Sequence, residues 1–360
     1  MDDVLSLAEG YPQQHTLDFI NEFAIKHQLE WSAKKTQVME IGLHKEEKSN
    51  WKLGEKVISN CKSYKYLGEI IQRDGRNDEN LIARFNKVKA TVRAIMMCAK
   101  SNIMKKIEMK VILKLHECVT VPTLIYNSET WILRKAEKKE IDKMEIYALK
   151  KMLGLPPTTP TPGIIYATGT MFTSIRIEMK QIIYLHKFLT KAADHWTKQL
   201  LYILDDYNIG WAKQINKTLE EWGLECDWDI IANIPNNTRK TTVKAKAEEM
   251  NRNRLREDLF TRSRGEDKQK TKTKSILDQI NDPSFTRQPT EFLNQCVLVG
   301  RSIIMGRYGM LDCAANFENK YGGKECWACN VTDSESHRIN SSKVYENINL
   351  YDTSESIDFD

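Results

Sequence analysis

The stretch Ser63-Tyr64-Lys65-Tyr66-Leu67-Gly68-Glu69-Ile70-Ile71, with Asp78-Glu79-Asn80-Leu81-Ile82-Ala83-Arg84-Phe85 shortly after it, is where the chain changes from strand to helix. Tyr and Ile flank a Leu-Gly pair, the composition of two short strands around a tight turn. Arg73-Asp74-Gly75-Arg76 reads as a second turn. Leu81, Phe85, Val88, Val92 and Ile95 then step by 4, 3, 4 and 3, which puts all five on one helical face, and Asn77 or Asp78 can serve as N-cap. The predicted class is therefore mainly α, with a small N-terminal α+β unit.

Working outward, residues 4–7 read as a short strand. A helix is predicted over 12–28, with Leu17, Ile20 and Phe23 or Ala24 facing inward. Alternation over 36–43 places Val38 and Ile41 in a short extended region, and 56–59 adds a short strand. Downstream, helices are predicted at 107–119, 136–153, 172–192, 195–206, 210–222, 240–260 and 291–310. Gly154 fits the C-cap of the second of these. Pro122 should force an extended or kinked passage as far as Trp131. Prolines at 156, 157, 160 and 162 read as a stiff linker. The expected organisation is 1–75, 76–155, the linker 156–170, a helical region 171–310, a cysteine-bearing segment 311–342 and an acidic tail 343–360. No internal repeat is evident.

At 360 residues the chain can fill two or three domains. Its 41% hydrophobic content and mean hydropathy of −0.52 suit a soluble globular protein. The net charge of +5 is unevenly placed: residues 239–274 hold 13 Lys/Arg against 6 Asp/Glu, a local +7 that leaves −2 elsewhere. Such a block reads either as a solvated helix face or as a phosphate-contacting surface, with Arg252, Arg254, Arg256, Lys268, Lys270, Lys272 and Lys274 as candidate contacts. Phe260 is its one aromatic, which gives base stacking no support there. Eight scattered cysteines suggest reduced thiols in an intracellular protein, nuclear or cytoplasmic. No signal peptide is visible, and the most apolar run, 111–126, is interrupted by Lys114, His116 and Glu117, so no membrane partner is expected.

The order of several motifs resembles the C-terminal half of reverse transcriptases from non-LTR (LINE-like) retrotransposons. Met1-Asp2-Asp3-Val4 matches the aromatic-x-Asp-Asp turn, and Gln28-Leu29-Glu30-Trp31-Ser32-Ala33-Lys34-Lys35-Thr36 the lysine segment, with Ser32 where the family has asparagine. Tyr66-Leu67-Gly68 matches the hairpin at the primer end, Pro122-Thr123-Leu124-Ile125-Tyr126-Asn127-Ser128-Glu129-Thr130-Trp131 a thumb motif, and Leu153-Gly154 a helix end. The match covers about the first 155 residues, is faint from 165 to 300, and touches Met310 to Phe317 again.

The resemblance implies Mg²⁺ held by Asp2 and Asp3 as the catalytic carboxylates, stabilising charge on the transferring phosphoryl group. It implies Lys35 near the incoming nucleotide, Tyr66, Leu67 and Gly68 at the primer, a palm remnant followed by a helical thumb, and RNA and DNA as template–primer. Because the chain starts at the x of the aromatic-x-Asp-Asp motif, the expectation is a fragment without fingers or the separate palm aspartate, inactive as a polymerase by itself. Cys326-x₂-Cys329-x₇-His337 has the spacing of the first three ligands of a zinc knuckle, but Ser341 and Ser342 stand where the family's last cysteine would be. Zn²⁺ would therefore lack its fourth ligand. Two alternatives remain open: a non-catalytic nucleic-acid-binding protein using the thumb helices, basic block and cysteine region, and a helical relic with no ligand.

Overall fold

Helices dominate the computed structural model, which describes residues 5–7, 12–32, 35–41, 50–98 and 107–263, with 301, 304–305 and 332. The class is mainly α, as expected. The chain divides into two compact units, Met1–Arg84 with Trp131–Leu133, and Phe85–Thr130 with Arg134–Asp360. The division falls within a helix rather than at the 75/76 turn, because the first two turns of that helix carry the side chains that hold the hairpin.

The first unit holds α1 (Pro12–Lys26) and short strands β1 (Gln37–Val38), β2 (Lys52–Leu53), β3 (Lys56–Val57) and β4 (Ser59–Asn60), with α1 packed on β2. β1 pairs in parallel with β4, and β2 pairs antiparallel with β3. Leu17, Val38, Leu53 and Ile58 form the core, with Ile20, Trp31 and Trp51 packed on it. These ladders are too short to hold themselves, so side chains complete them. The Gln14 amide both donates to the Lys52 carbonyl (2.9 Å) and accepts from the Lys52 N–H (3.1 Å). Of Phe23 and Ala24 the helix turns Ala24 inward and leaves Phe23 exposed, and Ile41 is exposed beyond the end of β1 at Val38. Residues 5–7 are not a strand, and Leu5 and Leu7 face solvent. The hairpin β5 (Ser63–Tyr66) and β6 (Glu69–Gln72) forms where expected, followed by α2 (Asp78–Cys98).

The second unit holds α3 (Met109–Leu115), α4 (Val121–Leu124), α5 (Lys135–Met152), α6 (Thr161–Thr168), α7 (Thr173–Leu189), α8 (Trp196–Asp206), α9 (Gly210–Trp222), α10 (Trp228–Asn233) and α11 (Asn236–Ser263). Pro122 does not break the helical path. A π turn over His116–Thr120 absorbs one extra residue, and Pro122 falls in the first turn of α4, where a missing N–H costs nothing. Nor is 156–170 a linker. Pro162 opens α6, whose Ile164, Ile165, Tyr166 and Ala167 are all buried, and Gly169 ends it in the left-handed region. α5 closes as read: Gly154 is left-handed (φ +65°), and the Leu155 N–H donates to the Lys150 carbonyl at 2.8 Å. The helix α10 was not foreseen; its N-cap is Asp227, which accepts from the Asp229 and Ile230 N–H groups.

α7 is the hub of this unit and packs on α5, α9, α10 and α11. Its own N-cap residue is Phe172, which offers no acceptor. Two acids one turn apart on α5 do the capping instead. Glu145 accepts from the Thr173 N–H (2.9 Å) and hydroxyl (2.5 Å), and Asp142 accepts from the Ser174 N–H (2.8 Å) and hydroxyl (2.9 Å). Both acids are buried, and the positive end of α7 supplies part of their counter-charge. Arg254 of α11 supplies the rest at Asp142, 2.7 Å away, and His116 lies 3.4 Å from Glu145.

Glu145→Ala should lower stability by about 3 kcal/mol, because Thr173 and His116 would lose their acceptor in the interior. Denaturant unfolding measures this; a loss below about 1 kcal/mol would mean that α7 is capped otherwise. Burial raises the Asp142 carboxyl above the ordinary aspartate range, with Arg254 and Ser174 opposing it only in part. Between the ordinary and raised values the folded chain keeps a proton that the unfolded chain has released. The stability contributed by this group therefore falls as pH rises through that window. Asp142→Asn should remove that component of the stability–pH curve in the same unfolding measurement.

Candidate nucleic-acid interface

The β5–β6 hairpin turns through Leu67 and Gly68, both with positive φ (+45° and +85°), between the paired residues Tyr66 and Glu69. Two consecutive left-handed residues twist a two-residue turn to match its strands. Gly68 adopts that conformation freely, whereas Leu67 does so against its Cβ, at a cost of about 1 kcal/mol. Leu67 is also 63% exposed. An apolar side chain held in a strained tip and pointed at solvent is the arrangement found where a protein meets a ligand.

The base of the turn is clamped by a buried polar group. Arg84 from α2 donates to the Gly68 carbonyl at 3.0 Å and lies 3.2 Å from the Glu69 carboxylate. The Trp131 indole N–H donates to the other Glu69 oxygen at 3.0 Å. Asn80 accepts from the Ile70 N–H at 3.4 Å, and the Gln72 side chain accepts from the Glu79 N–H at the start of α2. Asn77 donates to the Ile132 carbonyl at 2.8 Å, which keeps the Trp131 segment in place. Arg84, Glu69 and Trp131 are all buried, so their interactions are little screened and fix the turn against α2.

The other sequence-derived candidates separate into three groups. Lys35 is exposed in the same unit, and its carbonyl accepts from the Tyr64 hydroxyl of β5 at 3.3 Å, so the lysine segment adjoins the base of the hairpin. Arg254 is half-buried and engaged within the chain: it pairs with Asp142, donates to the Ser174 hydroxyl at 2.7 Å and sits 4.0 Å over the Phe172 ring. Its charge is thus already matched by Asp142. Arg252 is exposed on α11 and Arg256 is half-buried there. Asp2, Asp3, Cys326, Cys329, His337, Lys268, Lys270, Lys272 and Lys274 lie outside the described residues. Among the described residues no three His, Cys, Asp or Glu side chains are grouped to hold a metal. None of the described helices is long and apolar enough to cross a membrane.

Glu69, Arg84 and Asn80 were not singled out from sequence. Their one signal was proximity to the Leu-Gly turn, and Arg84, outside the five-residue apolar face, gave no warning of burial.

No protein-family model matches this chain, and no curated protein and no solved structure matches it significantly.

Leu67→Asn should raise stability by about 1 kcal/mol, because Asn tolerates the left-handed region that Leu resists. Arg84→Met should lower it by about 3 kcal/mol, leaving Glu69 buried without its cation. Chemical denaturation of the two variants beside the parent chain checks both signs; a destabilised Leu67→Asn would mean that Leu67 makes a stabilising contact.

Proposed function

We propose that the chain is part of an RNA-directed DNA polymerase of the non-LTR (LINE-like) retrotransposon kind, and that its Tyr66, Leu67 and Gly68 turn holds the primer end of an RNA/DNA template–primer. The observation that carries this reading is the hydrogen bond from Trp131 to Glu69, 62 residues apart in sequence. It joins two motifs that the resemblance names separately, the Leu-Gly hairpin and the Thr-Trp segment, into one clamped unit. A primer-holding turn must resist displacement by the strand it positions, and strain plus a buried ionic clamp give that rigidity.

In this reading Leu67 packs against the sugar edge of the terminal nucleotide, and Lys35 beside the hairpin supplies positive charge toward phosphate. Asp2 and Asp3 would be the metal-bearing carboxylates; Mg²⁺ bound there stabilises charge on the transferring phosphoryl group. The exposed Lys240, Lys244 and Arg252 of α11 offer further sequence-independent phosphate contacts.

Binding of a fluorescent RNA/DNA primer–template to the full chain tests the reading. Affinity should fall at least tenfold between about 50 and about 200 mM salt. Leu67→Asn should weaken binding several-fold while raising thermal stability, a split that a purely structural role for Leu67 would not produce. Primer extension, if present, should vanish in Asp2→Ala and Asp3→Ala. Binding without extension favours the non-catalytic nucleic-acid-binding alternative, and extension unaffected by both changes rules out the catalytic assignment.

A further inference from the structure

α11 begins with a charge problem that the described residues leave unsolved. Arg239, its fourth residue, is only 5% exposed. Its Nε has no hydrogen-bond partner, and none of the described acids forms an ion pair with it. Burial lowers its pKa to about 10, with no opposing carboxylate, yet at neutral pH the guanidinium is still charged. A buried cation without a counter-charge is among the costliest arrangements a protein interior can hold.

The surroundings lack what usually meets such a charge. No acidic residue occupies the first turn of α11, where helices commonly carry Asp or Glu against the macrodipole. The preceding Pro235 has no side-chain acceptor to cap the helix. Asn236, Asn237 and Thr238 are exposed, and their N–H groups carry no acceptor among the described residues. Helical side chains lean toward the N-terminus, the end at which these amides lie. At 28 residues, α11 is long enough for its dipole to be fully developed there.

We propose that the N-terminal turn of α11 is a binding site for a phosphate group, in which the amides of Asn236, Asn237 and Thr238 and the guanidinium of Arg239 share its oxygens. Phosphate fits better than a carboxylate because a tetrahedral anion offers oxygens to a planar guanidinium and to a fan of helix amides at once. Lys240 and Lys244, both exposed, add to the local positive field. The phosphate can be free or a monoester, or it can belong to a nucleic-acid backbone. The site is independent of the hairpin reading, which concerns other residues in the other unit.

The probe is inorganic phosphate, added to the full chain at constant ionic strength while thermal unfolding is followed. The parent chain should gain several degrees in Tm, half of the gain being reached in the millimolar range. Arg239→Met, which keeps the volume and removes the charge, should show no phosphate response and a phosphate-free Tm at or above the parent's. Asn236→Pro removes one amide donor at a position where proline suits a helix start, and should raise the half-saturating phosphate concentration several-fold. An equal gain in Arg239→Met would mean that phosphate acts only by exclusion from the surface, and would overturn the proposal. Absence of any gain in the parent chain overturns it as well. Should Arg239→Met fail to fold, Asn236→Pro decides, because an unchanged half-saturation there overturns the site. A short oligonucleotide without terminal phosphates, added as competitor, separates the sources: competition assigns the site to backbone phosphodiesters, and its absence to free phosphate or a monoester.

Discussion

The N-terminus of α7 is the point on which the larger unit depends. A helix that starts in the interior exposes N–H groups that water cannot reach, and its own N-cap residue, Phe172, has no acceptor. Asp142 and Glu145 of α5 answer this from outside, and Arg254 and His116 then answer the acids. Each partner comes from a different stretch of chain, so the arrangement ties α5, the π turn before α4, α7 and α11 together. Phe172 completes it in another way, because its N–H donates to Asn251 and its ring lies beneath the Arg254 guanidinium. Burying two carboxylates costs solvation, and that cost is recovered only when all the partners are in register. The network therefore selects one packing of these helices over its neighbours.

The smaller unit solves a related problem with the same chemistry. Its strands are two to four residues long, too short for a stable sheet, and its hydrophobic cluster is small. The hairpin is held chiefly by the Arg84, Glu69 and Trp131 group, which fixes the turn's carbonyl and its first β6 residue against the start of α2. With the base of the turn rigid, the tip can carry a strained and exposed Leu67 without unravelling. Rigidity at the base and strain at the tip give the hairpin a functional character that its length alone would not.

Three arginines show how much the surroundings decide. Arg84 sits on a helix whose sequence reads as amphipathic, and Arg239 and Arg254 in the basic block. Arg84 and Arg254 have found buried acids, Glu69 and Asp142. Arg239 has the burial without an acid among the described residues. Composition counts these residues alike, although one clamps a turn, one neutralises a helix cap and one is left in search of an anion.

Much of the architecture was legible from local pattern. The 4-3-4-3 spacing of Leu81, Phe85, Val88, Val92 and Ile95 marked α2, Leu-Gly marked the hairpin, and Gly154 marked the end of α5, because each depends on neighbours a few residues away. Proline was misread twice. Pro122 and Pro162 look like breaks in a linear reading, but at the first turn of a helix the missing N–H has no partner to lose, and only packing reveals that those turns exist. The sequence by itself determined the longer amphipathic helices such as α2 and α5 and where the tight turn lies, since backbone propensity and apolar period are local properties. Only the tertiary structure decided which charges are buried and which partners they have, because Asp142 with Arg254, and Glu69 with Trp131, meet through contacts between residues far apart in the chain.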